Sequence, residues 1–525
     1  MMDDRPATLG AIPGYHARHR PDHVAIRCED RAITYSALHR ESNRTAGCLL
    51  AAGLSGGARV GYLGRESEHY YDIAFGCAKS GAVLVPVNWR LTPTEVRHIL
   101  RDSEVELLFV EREFEGTAAG LAAELPSLHT VVQLDSPTGR GAGFLNWKAG
   151  GSDDEPPQCA TPADAAAQLY TSGTTGLPKG VVLPHRSFFA LASAMAASGL
   201  DWLDWRPDDL SLIGLPGLNI AGLSWAMQGF AAGITNVVMR AFVAQDAVRL
   251  IRSARVTMTF VAPAMLQMML AEPAAEPAAF ASLRKVAYGG SPIGVDLLTR
   301  CLRVMNAEFI QAYAATETGN AVVLLPPADH QIDSPLLRSA GRACPGVDIR
   351  VVDRAGRPLP PGEVGEVCVR TDAVMLGYWR QPEATRAVLS DGWLSMGDAG
   401  YLDENGYLFL SDRIRDTIIV AGQNVYPAEV ENAIGHHPDV ADVAVIGVPH
   451  ERWGEAVHAC VVLKSGSAAT PRQLMLSLRG QIADYKVPTS YEFVDTLPRN
   501  ANGKLLRRSL RERFTASSGV GAGSR

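Results

Sequence analysis

The sequence predicts an α/β protein, with a large N-terminal part of layered α/β subdomains followed by a smaller α+β C-terminal part. Three observations carry this. Between about residues 24 and 110, short β-rich runs (VAIRC, RVGYLG, VLVPVN, VELLFV) alternate with helical patterns, as parallel α/β layers require. After about residue 345 the pattern changes to closely spaced strands and turns. Beyond residue 416, two helical segments and three strand candidates suffice for a compact unit of about 100 residues. The length of 525 residues allows roughly three or four domain-sized units.

Taken in order, the helix opening at Thr92-Pro93-Thr94-Glu95 has a cap, a first-turn proline and the N3 glutamate of a capping box. Residues 136–160 are rich in Gly, Pro and acids and read as a linker or long surface loop. TNVVM, VTMTFV and KVAYGG continue the strand pattern. Asp403-Glu404-Asn405-Gly406 reads as a hairpin turn. The charged stretch 412–416 marks a boundary, giving domains at 1–412 and 417–514 around a hinge at 413–416. The small, polar residues 515–525 form a tail expected to be disordered. Helices are expected over 427–434 and 470–483, with strands in VADVAVIGV, AVHACVVLK and YEFVD.

Composition narrows the function classes. With 47% hydrophobic and 20% charged residues the chain is an ordinary globular one. Its net charge of −7 offers no bulk attraction to nucleic acid or anionic lipid. Eight scattered cysteines without a CxxC pattern point to a reduced compartment. Early acids and a proline in place of an apolar leader make the cytoplasm the default. Ser211 to Met239 carries no charge and is long enough to cross a bilayer, but Pro216, Asn219, Gln228, Asn236 and its glycines favour a buried loop plus helix over a stable membrane span.

The segment from Tyr170 to Gly180, YTSGTTGLPKG, is the most informative. Its glycines permit tight turns and close backbone approach, its hydroxyls can donate to phosphate oxygens, and Lys179 adds a positive charge. It is suited to a polyphosphate. A Walker A loop is excluded, because Gly180 stands where Ser or Thr would hold Mg²⁺.

With this segment, YGGSPI (288–293), YAATETG (313–319), GWLSMGDAGYLDENG (392–406), DRIRDTI (412–418), AGQNVYPAEVE (421–431) and PRNANGK (498–504) occur in one order. In these motifs the chain resembles the adenylate-forming superfamily of acyl-CoA synthetases, peptide-synthetase adenylation domains and luciferases, over nearly its whole length. The resemblance implies two half-reactions: a carboxylate attacks the α-phosphate of ATP to give acyl-AMP and pyrophosphate, and a thiol, usually that of coenzyme A, then takes the acyl group. It also implies that the small C-terminal domain swivels between the two.

The roles implied by the resemblance fall on particular residues. Thr171, Ser172, Gly173, Thr174, Thr175, Gly176 and Lys179 would cradle the phosphates, with Thr316 reaching one phosphate oxygen. Lys504 would bridge the carboxylate and the α-phosphate, where positive charge gains strength as negative charge builds. Glu317 would hold Mg²⁺, which suits one carboxylate plus phosphate oxygens and waters. Gly290, Ser291 and Pro292 would line the adenine pocket beside Ala312, and Tyr313 would stack on the base. Asp398 would accept the ribose hydroxyls, and Arg413 would bind ribose or phosphate. Gly422 would flank the pantetheine channel. Taken singly, Lys504 and Arg413 read as surface charges, Glu317 as a helix-start acid and Asp398 as a turn residue.

Two departures from the family pattern stand out. The hinge residue, commonly Asp or Lys, is Arg415, which is still long and solvated. Asn219 stands where many acyl-CoA synthetases have a histidine and where amino-acid-activating domains have an aspartate. Without that carboxylate an α-amino acid loses its counter-charge. Asn219 then either hydrogen-bonds a hydroxyl or carbonyl of the acid or satisfies backbone groups in its loop. Around it, Ala221, Gly222, Tyr288, Gly289, Ala312 and Ala315 are assigned to the acid pocket, the small ones leaving room for a ring or a chain.

The reading is a cytoplasmic ATP-, Mg²⁺- and CoA-dependent ligase of fatty, alicyclic or aromatic monocarboxylates. One alternative loads a carrier protein in trans; another, of a different class, is a non-catalytic sensor of nucleotide or acyl-adenylate. Neither nucleic acid nor a membrane is an expected partner, and the resemblance leaves monomer and homodimer both open.

Overall fold

The computed structural model describes residues 5–122, 124–134, 143–171, 178–413, 416, 418–420, 423–450, 452–479, 481–499 and 505–519. Contacts divide the chain into two compact units, one of residues 1–349 and 369–394, the other of residues 350–368 and 395–525.

The first unit contains a seven-stranded sheet in the order Gly377–Tyr378, Lys179–Pro184, Ala165–Thr171, Val83–Val87, Arg59–Leu63, Leu107–Val110 and Thr130–Gln133. The last four of these strands run parallel, and the first three are joined antiparallel. A further run of strands in this unit has a parallel centre: Glu308–Tyr313, Lys285–Gly289, Met258–Val261, Leu210–Ile213, Thr235–Val238 and Val24–Cys28 are successive neighbours. Parallel strands need crossovers, and the expected helices supply them. Helix Glu68–Ser80 is buried almost along its whole length, as an element between layers must be. Helix Pro93–Asp102 begins on the expected capping box: Thr92 Oγ1 accepts from Glu95 N–H, and the Glu95 carboxylate accepts from Thr92 N–H at 2.8 Å.

The uncharged stretch resolves into strand Leu210–Ile213, helix Ile220–Ala232 and strand Thr235–Val238. Among the described residues no helix is long and apolar enough to cross a membrane.

In the second unit the expected hairpin closes at 403–406. Asp403 Oδ1 accepts from the N–H groups of Asn405 and Tyr407, and Gly406 takes φ +78°. A five-stranded sheet follows, with Gln423–Val425, Ile418–Val420, Gly454–Leu463 and Val440–His450 in order and Ser490–Phe493 parallel to Gly454–Leu463. Helix Pro427–Gly435 packs on the core of Val420, Val430, Ile434, Val445 and Val457. The second expected helix is shorter than 470–483, running Pro471–Leu478 from a Thr470–Gln473 capping box. The tail corrects the expectation for 515–519. Helix Arg507–Gly519 continues through them, because each added residue of an established helix gains a hydrogen bond, here reinforced by Thr515 Oγ1 donating to Arg511 O. Residues 520–525 lie outside the described residues.

Candidate active site

Strands Ala165–Thr171 and Lys179–Pro184 form an antiparallel hairpin in which Thr171 faces Lys179 and Tyr170 faces Gly180. The glycine- and hydroxyl-rich segment is therefore the connection of that hairpin. Ser172, Gly173, Thr174, Thr175 and Gly176 lie outside the described residues, while Thr171 and Lys179, both half-buried, end and restart the ladder. The structure gives a local reason for Gly180. A Cβ there would meet Gln168 Nε2 at 2.6 Å and the Tyr170 ring at 3.1 Å. Those two side chains are fixed by a chain of contacts: Arg59 donates to Gln168, Gln168 to the Tyr170 hydroxyl, and Tyr170 to Asp102 at 2.6 Å.

The short strand Gly377–Tyr378 lies against the return strand, with Tyr378 opposite Val181 and Trp379 N–H donating to Gly180 O at 2.7 Å. This register brings together two expected site residues that lie far apart in sequence. Tyr378 Oη donates to Glu317 Oε1 at 2.8 Å, and Lys179 Nζ lies 5.0 Å from the centroid of the Tyr378 ring. Burial and the Glu317 charge raise the Tyr378 pKa, so its hydroxyl remains a donor at working pH. Sequence reasoning missed Tyr378. The only signal was Gly-Tyr-Trp ahead of a helix-starting proline, which is not a chemical motif; strand register gives it meaning.

Glu317 sits in the short 3₁₀ turn Thr316–Thr318, where Thr318 Oγ1 donates to Ala315 O at 2.7 Å and Ala315 N–H donates to Thr318 Oγ1. Gly319 closes the turn at φ +67°, and a Cβ there would meet Ala373 O at 2.4 Å. Met375 N–H donates to Glu317 O, so the 373–379 segment holds both backbone and side chain of the carboxylate. Thr316 is half-buried within the same turn.

Tyr313 ends strand Glu308–Tyr313, and Ala312 pairs with Gly289 in parallel register. Gly290 turns away at φ +82° into open space, with nothing within 4 Å of a built Cβ, and Ser291 and Pro292 follow on the surface side.

Three residues assigned to the acid pocket are placed as follows. Tyr288 is fully buried in the core with Phe309, Leu298 and Cys301, and its hydroxyl meets Gln311 and His330. Strand alternation turns it to the opposite face from Ala287 and Gly289. The space beside Gly289 is filled, since a Cβ would lie 2.4 Å from Ala312 O. The space beside Gly222 is filled likewise, 2.1 Å from Pro216 O. These two glycines admit neighbouring backbone. Ala221 and Ala312 border the apolar cluster of Trp225, Phe260, Met258 and Leu215, with Trp202 and Trp205 against it. Ala315 is half-buried at the start of the Glu317 turn.

Asn219 is the N-cap of helix Ile220–Ala232, and its Oδ1 accepts from Gly222 N–H at 3.1 Å. This is the backbone-satisfying role. The loop before it is anchored by Glu66, whose Oε2 accepts from Gly217 N–H at 3.1 Å and whose Oε1 accepts from the Tyr71 hydroxyl. Tyr70 Oη donates to Gly217 O. Burial pushes the Glu66 carboxyl up to about 8.

In the second unit, Asp398 is buried on strand Trp393–Leu402, opposite Arg413 in the antiparallel ladder. Nothing further is described of the Arg413 side chain, and Arg415, Gly422 and Lys504 lie outside the described residues.

The class of the protein follows from its likeness to known proteins. The family described as AMP-binding enzyme matches residues 15–379, and the AMP-binding enzyme C-terminal domain matches 429–504. The chain is 55% identical over 512 residues to the fatty acid–[acyl-carrier-protein] ligase ScoC of Streptomyces coeruleorubidus, covering 97% of each chain. It is 38% identical to a feruloyl-CoA synthase of Amycolatopsis sp, covering 96% of this chain and 99% of that one. Among solved structures, ATP-bound MatB from Rhodopseudomonas palustris aligns with a TM-score of 0.88 at 31% identity, covering 97% of this chain and 99% of that one. The chain belongs to the AMP-binding enzyme family, within the adenylate-forming superfamily. It is an ATP-dependent, AMP-forming acid–thiol ligase of the acyl-CoA synthetase type.

Proposed function

We propose that this ligase activates a hydrophobic monocarboxylate and delivers it to a phosphopantetheine thiol borne by a separate carrier protein. The observation that carries the chemistry is the Lys179–Tyr378–Glu317 grouping at the mouth of the 171–179 hairpin. It sets a cation and a carboxylate on either side of Tyr378, with Lys179 at the end of the segment rich in hydroxyls and glycines.

In this reading the hairpin loop and Lys179 hold the triphosphate of ATP, and Gly290, Ser291, Pro292, Ala312 and Tyr313 hold the adenine. Asp398 and Arg413 take the ribose. Lys504 brings positive charge to the attacking carboxylate and the α-phosphate, where it is worth most as the transition state gathers charge. Glu317 fits a hard divalent cation: one oxygen is held by Tyr378, and the other has no protein partner among the described residues. Bound Mg²⁺ would supply charge neutralisation on the phosphates. Rotation of residues 417–514 about a hinge at 413–416, with Arg415 as pivot and Gly422 beside the thiol channel, would exchange the adenylating arrangement for the thiol-accepting one.

Full-length likeness at 55% identity to a ligase named for an acyl-carrier protein favours the carrier thiol. Full-length likeness at 38% to a feruloyl-CoA synthase supports free CoA as the second reading. Absence of a carboxylate at 219 argues against α-amino acids, and the apolar cluster beside Ala221 and Ala312 favours an aliphatic or aromatic acid. We place the enzyme in the cytoplasm, where ATP and reduced thiols are available; all eight cysteines are unpaired.

The experiment incubates purified protein with ATP, Mg²⁺ and a panel of fatty, alicyclic and aromatic acids. CoA and a phosphopantetheinylated carrier protein are supplied separately, and products are identified by mass spectrometry. Faster acyl transfer to the carrier supports the proposal. Equal or faster thioester formation on CoA overturns the carrier assignment, and no acyl-AMP with any acid overturns the reading itself.

A further inference from the structure

The C-terminal sheet holds a cluster of side chains that adenylation does not use. Strands Gly454–Leu463 and Ser490–Phe493 run parallel, with His458 opposite Ser490 and Cys460 opposite Glu492. Alternate residues of a strand share a face, so His458, Cys460, Ser490 and Glu492 all project to one side. One ligand atom from each of His458, Cys460 and Glu492 lies within 4.8 Å of the others. His458 Nε2 is 3.8 Å from Glu492 Oε2, and Cys460 Sγ is 3.9 Å from that same oxygen. In a tetrahedral site with bonds of about 2.0–2.3 Å, ligand atoms are about 3.3–3.8 Å apart. The two separations to Glu492 therefore lie at the upper edge of that range, and the third pair, His458 and Cys460, is no more than 4.8 Å apart.

Two of the three ligands, His458 and Glu492, are oriented by a partner on their other atom. His458 Nδ1 is engaged by Ser490 Oγ at 2.7 Å, which turns Nε2 toward the cluster. Such a bond to the distal nitrogen is the usual support for a metal-binding histidine. His458 is 3% exposed and its Nε2 has no hydrogen-bond partner, so a buried polar atom points at the other two ligands with nothing to bind. Glu492 is divided: Arg513 takes Oε1 at 2.5 Å and leaves Oε2 facing His458 and Cys460. Phe514 packs on the His458 ring at 4.7 Å and, with Leu510 and Leu497, covers Cys460.

We infer that His458, Cys460 and Glu492 form a binding site for a thiolate-preferring divalent cation of the Zn²⁺ or Co²⁺ kind. Nitrogen, sulfur and one carboxylate oxygen suit such ions and not Mg²⁺. On binding, the Cys460 S–H bond breaks, its proton passes to solvent, and the metal–sulfur bond forms without oxidation or reduction. Glu492 is the ligand with an open side, its side chain 41% exposed, and a water completes the fourth position there. The ion ties strand Ser490–Phe493 to strand Gly454–Leu463, and through Arg513 and Phe514 the cluster also engages helix Arg507–Gly519. In sequence these elements bracket Lys504. The site stands independently of which acid or thiol the ligase uses.

The test titrates tag-free, full-length protein, stripped with chelator, with Co²⁺ in excess Mg²⁺. Expected are one Co²⁺ per chain, a thiolate-to-cobalt charge-transfer band with tetrahedral visible absorption, and displacement by Zn²⁺. Cys460→Ser loses the charge-transfer band, whereas Cys159→Ser, at an exposed cysteine, retains it. Failure of the wild type to bind stoichiometrically, or a band that survives in Cys460→Ser, overturns the site. Should Cys460→Ser fail to fold, Glu492→Gln decides. It is expected to weaken Co²⁺ binding more than about tenfold, and unchanged affinity overturns the assignment.

Discussion

Tyr378 Oη donates to Glu317 Oε1 at 2.8 Å, across 61 residues of sequence, and the same ring lies 5.0 Å from Lys179 Nζ. One side chain thus links Lys179, at the end of the hairpin proposed to hold the phosphates, to the carboxylate proposed to hold the cation. Because Glu317 keeps one oxygen for Tyr378, only the other is left to face a ligand. If Glu317 holds the cation as proposed, Tyr378 is a positioning residue acting through it.

Tyr378→Phe keeps the ring and loses the donor. A hydrogen bond to a charged group contributes about 1.5–3 kcal/mol, so adenylation is expected to slow about tenfold or more. The Mg²⁺ concentration giving half-maximal rate should rise as well. Pyrophosphate release measured across a Mg²⁺ series checks this; a lower rate with unchanged Mg²⁺ dependence would mean that Tyr378 acts only through Lys179 and the strand.

Glu317→Gln removes the charge and keeps the shape. Turnover should fall and the Mg²⁺ requirement rise more than in Tyr378→Phe, since the direct ligand is altered. An identical Mg²⁺ profile in the variant would remove Glu317 from the metal site.

Lys504→Ala separates the half-reactions. Acyl-AMP formation should be abolished, while thioester formation from preformed acyl-AMP remains largely intact. Equal loss of both steps, followed by mass spectrometry of products, would contradict a swivelling C-terminal domain.

Asn219→Ala deletes a helix cap and should cost about 1 kcal/mol of stability, seen as a lower thermal midpoint. Asn219→Ser retains a capping oxygen and should recover most of it. A changed preference among hydroxy- or keto-acids in Asn219→Ser would show that the amide also contacts the acid. An unchanged ranking leaves the capping role alone.

Glu66 provides a pH test of the loop that carries Asn219. Its folded value of about 8 lies above the ordinary 4.5 because of burial. Below about pH 4.5 both folded and unfolded chains hold the proton. Between there and about 8 only the folded chain holds it, so its contribution to stability falls as pH rises, and it levels off above about 8. The thermal midpoint of wild type should therefore drop relative to Glu66→Gln as pH is raised across this window. A constant difference would place the Glu66 carboxyl in its ordinary range.

Much of this protein is encoded locally. The capping box at Thr92 and the turn at 403–406 depend on side chains bonding backbone a few residues away, so spacing alone reveals them. The resemblance to the adenylate-forming superfamily is equally legible, because YTSGTTGLPKG, YAATETG and PRNANGK are contiguous strings; the phosphate, cation and carboxylate roles are what that resemblance implies. The surroundings of the proposed acid pocket were less so: Gly222 and Gly289 look like spare room in sequence, yet a Cβ at either would meet a backbone oxygen, at 2.1 and 2.4 Å.

By itself, then, the sequence determined most of the elements and the order of the motifs, which are written in neighbouring residues, and through their resemblance to the adenylate-forming superfamily it implied the reaction class. Only the tertiary structure decided that Tyr288 faces the core, that Asn219 caps a helix, that Tyr378 holds Glu317, and that His458, Cys460 and Glu492 converge. Each of those outcomes depends on strand register, helix entry or the meeting of distant segments. Such pairings arise from the packing of the whole chain, and no local run of residues specifies them.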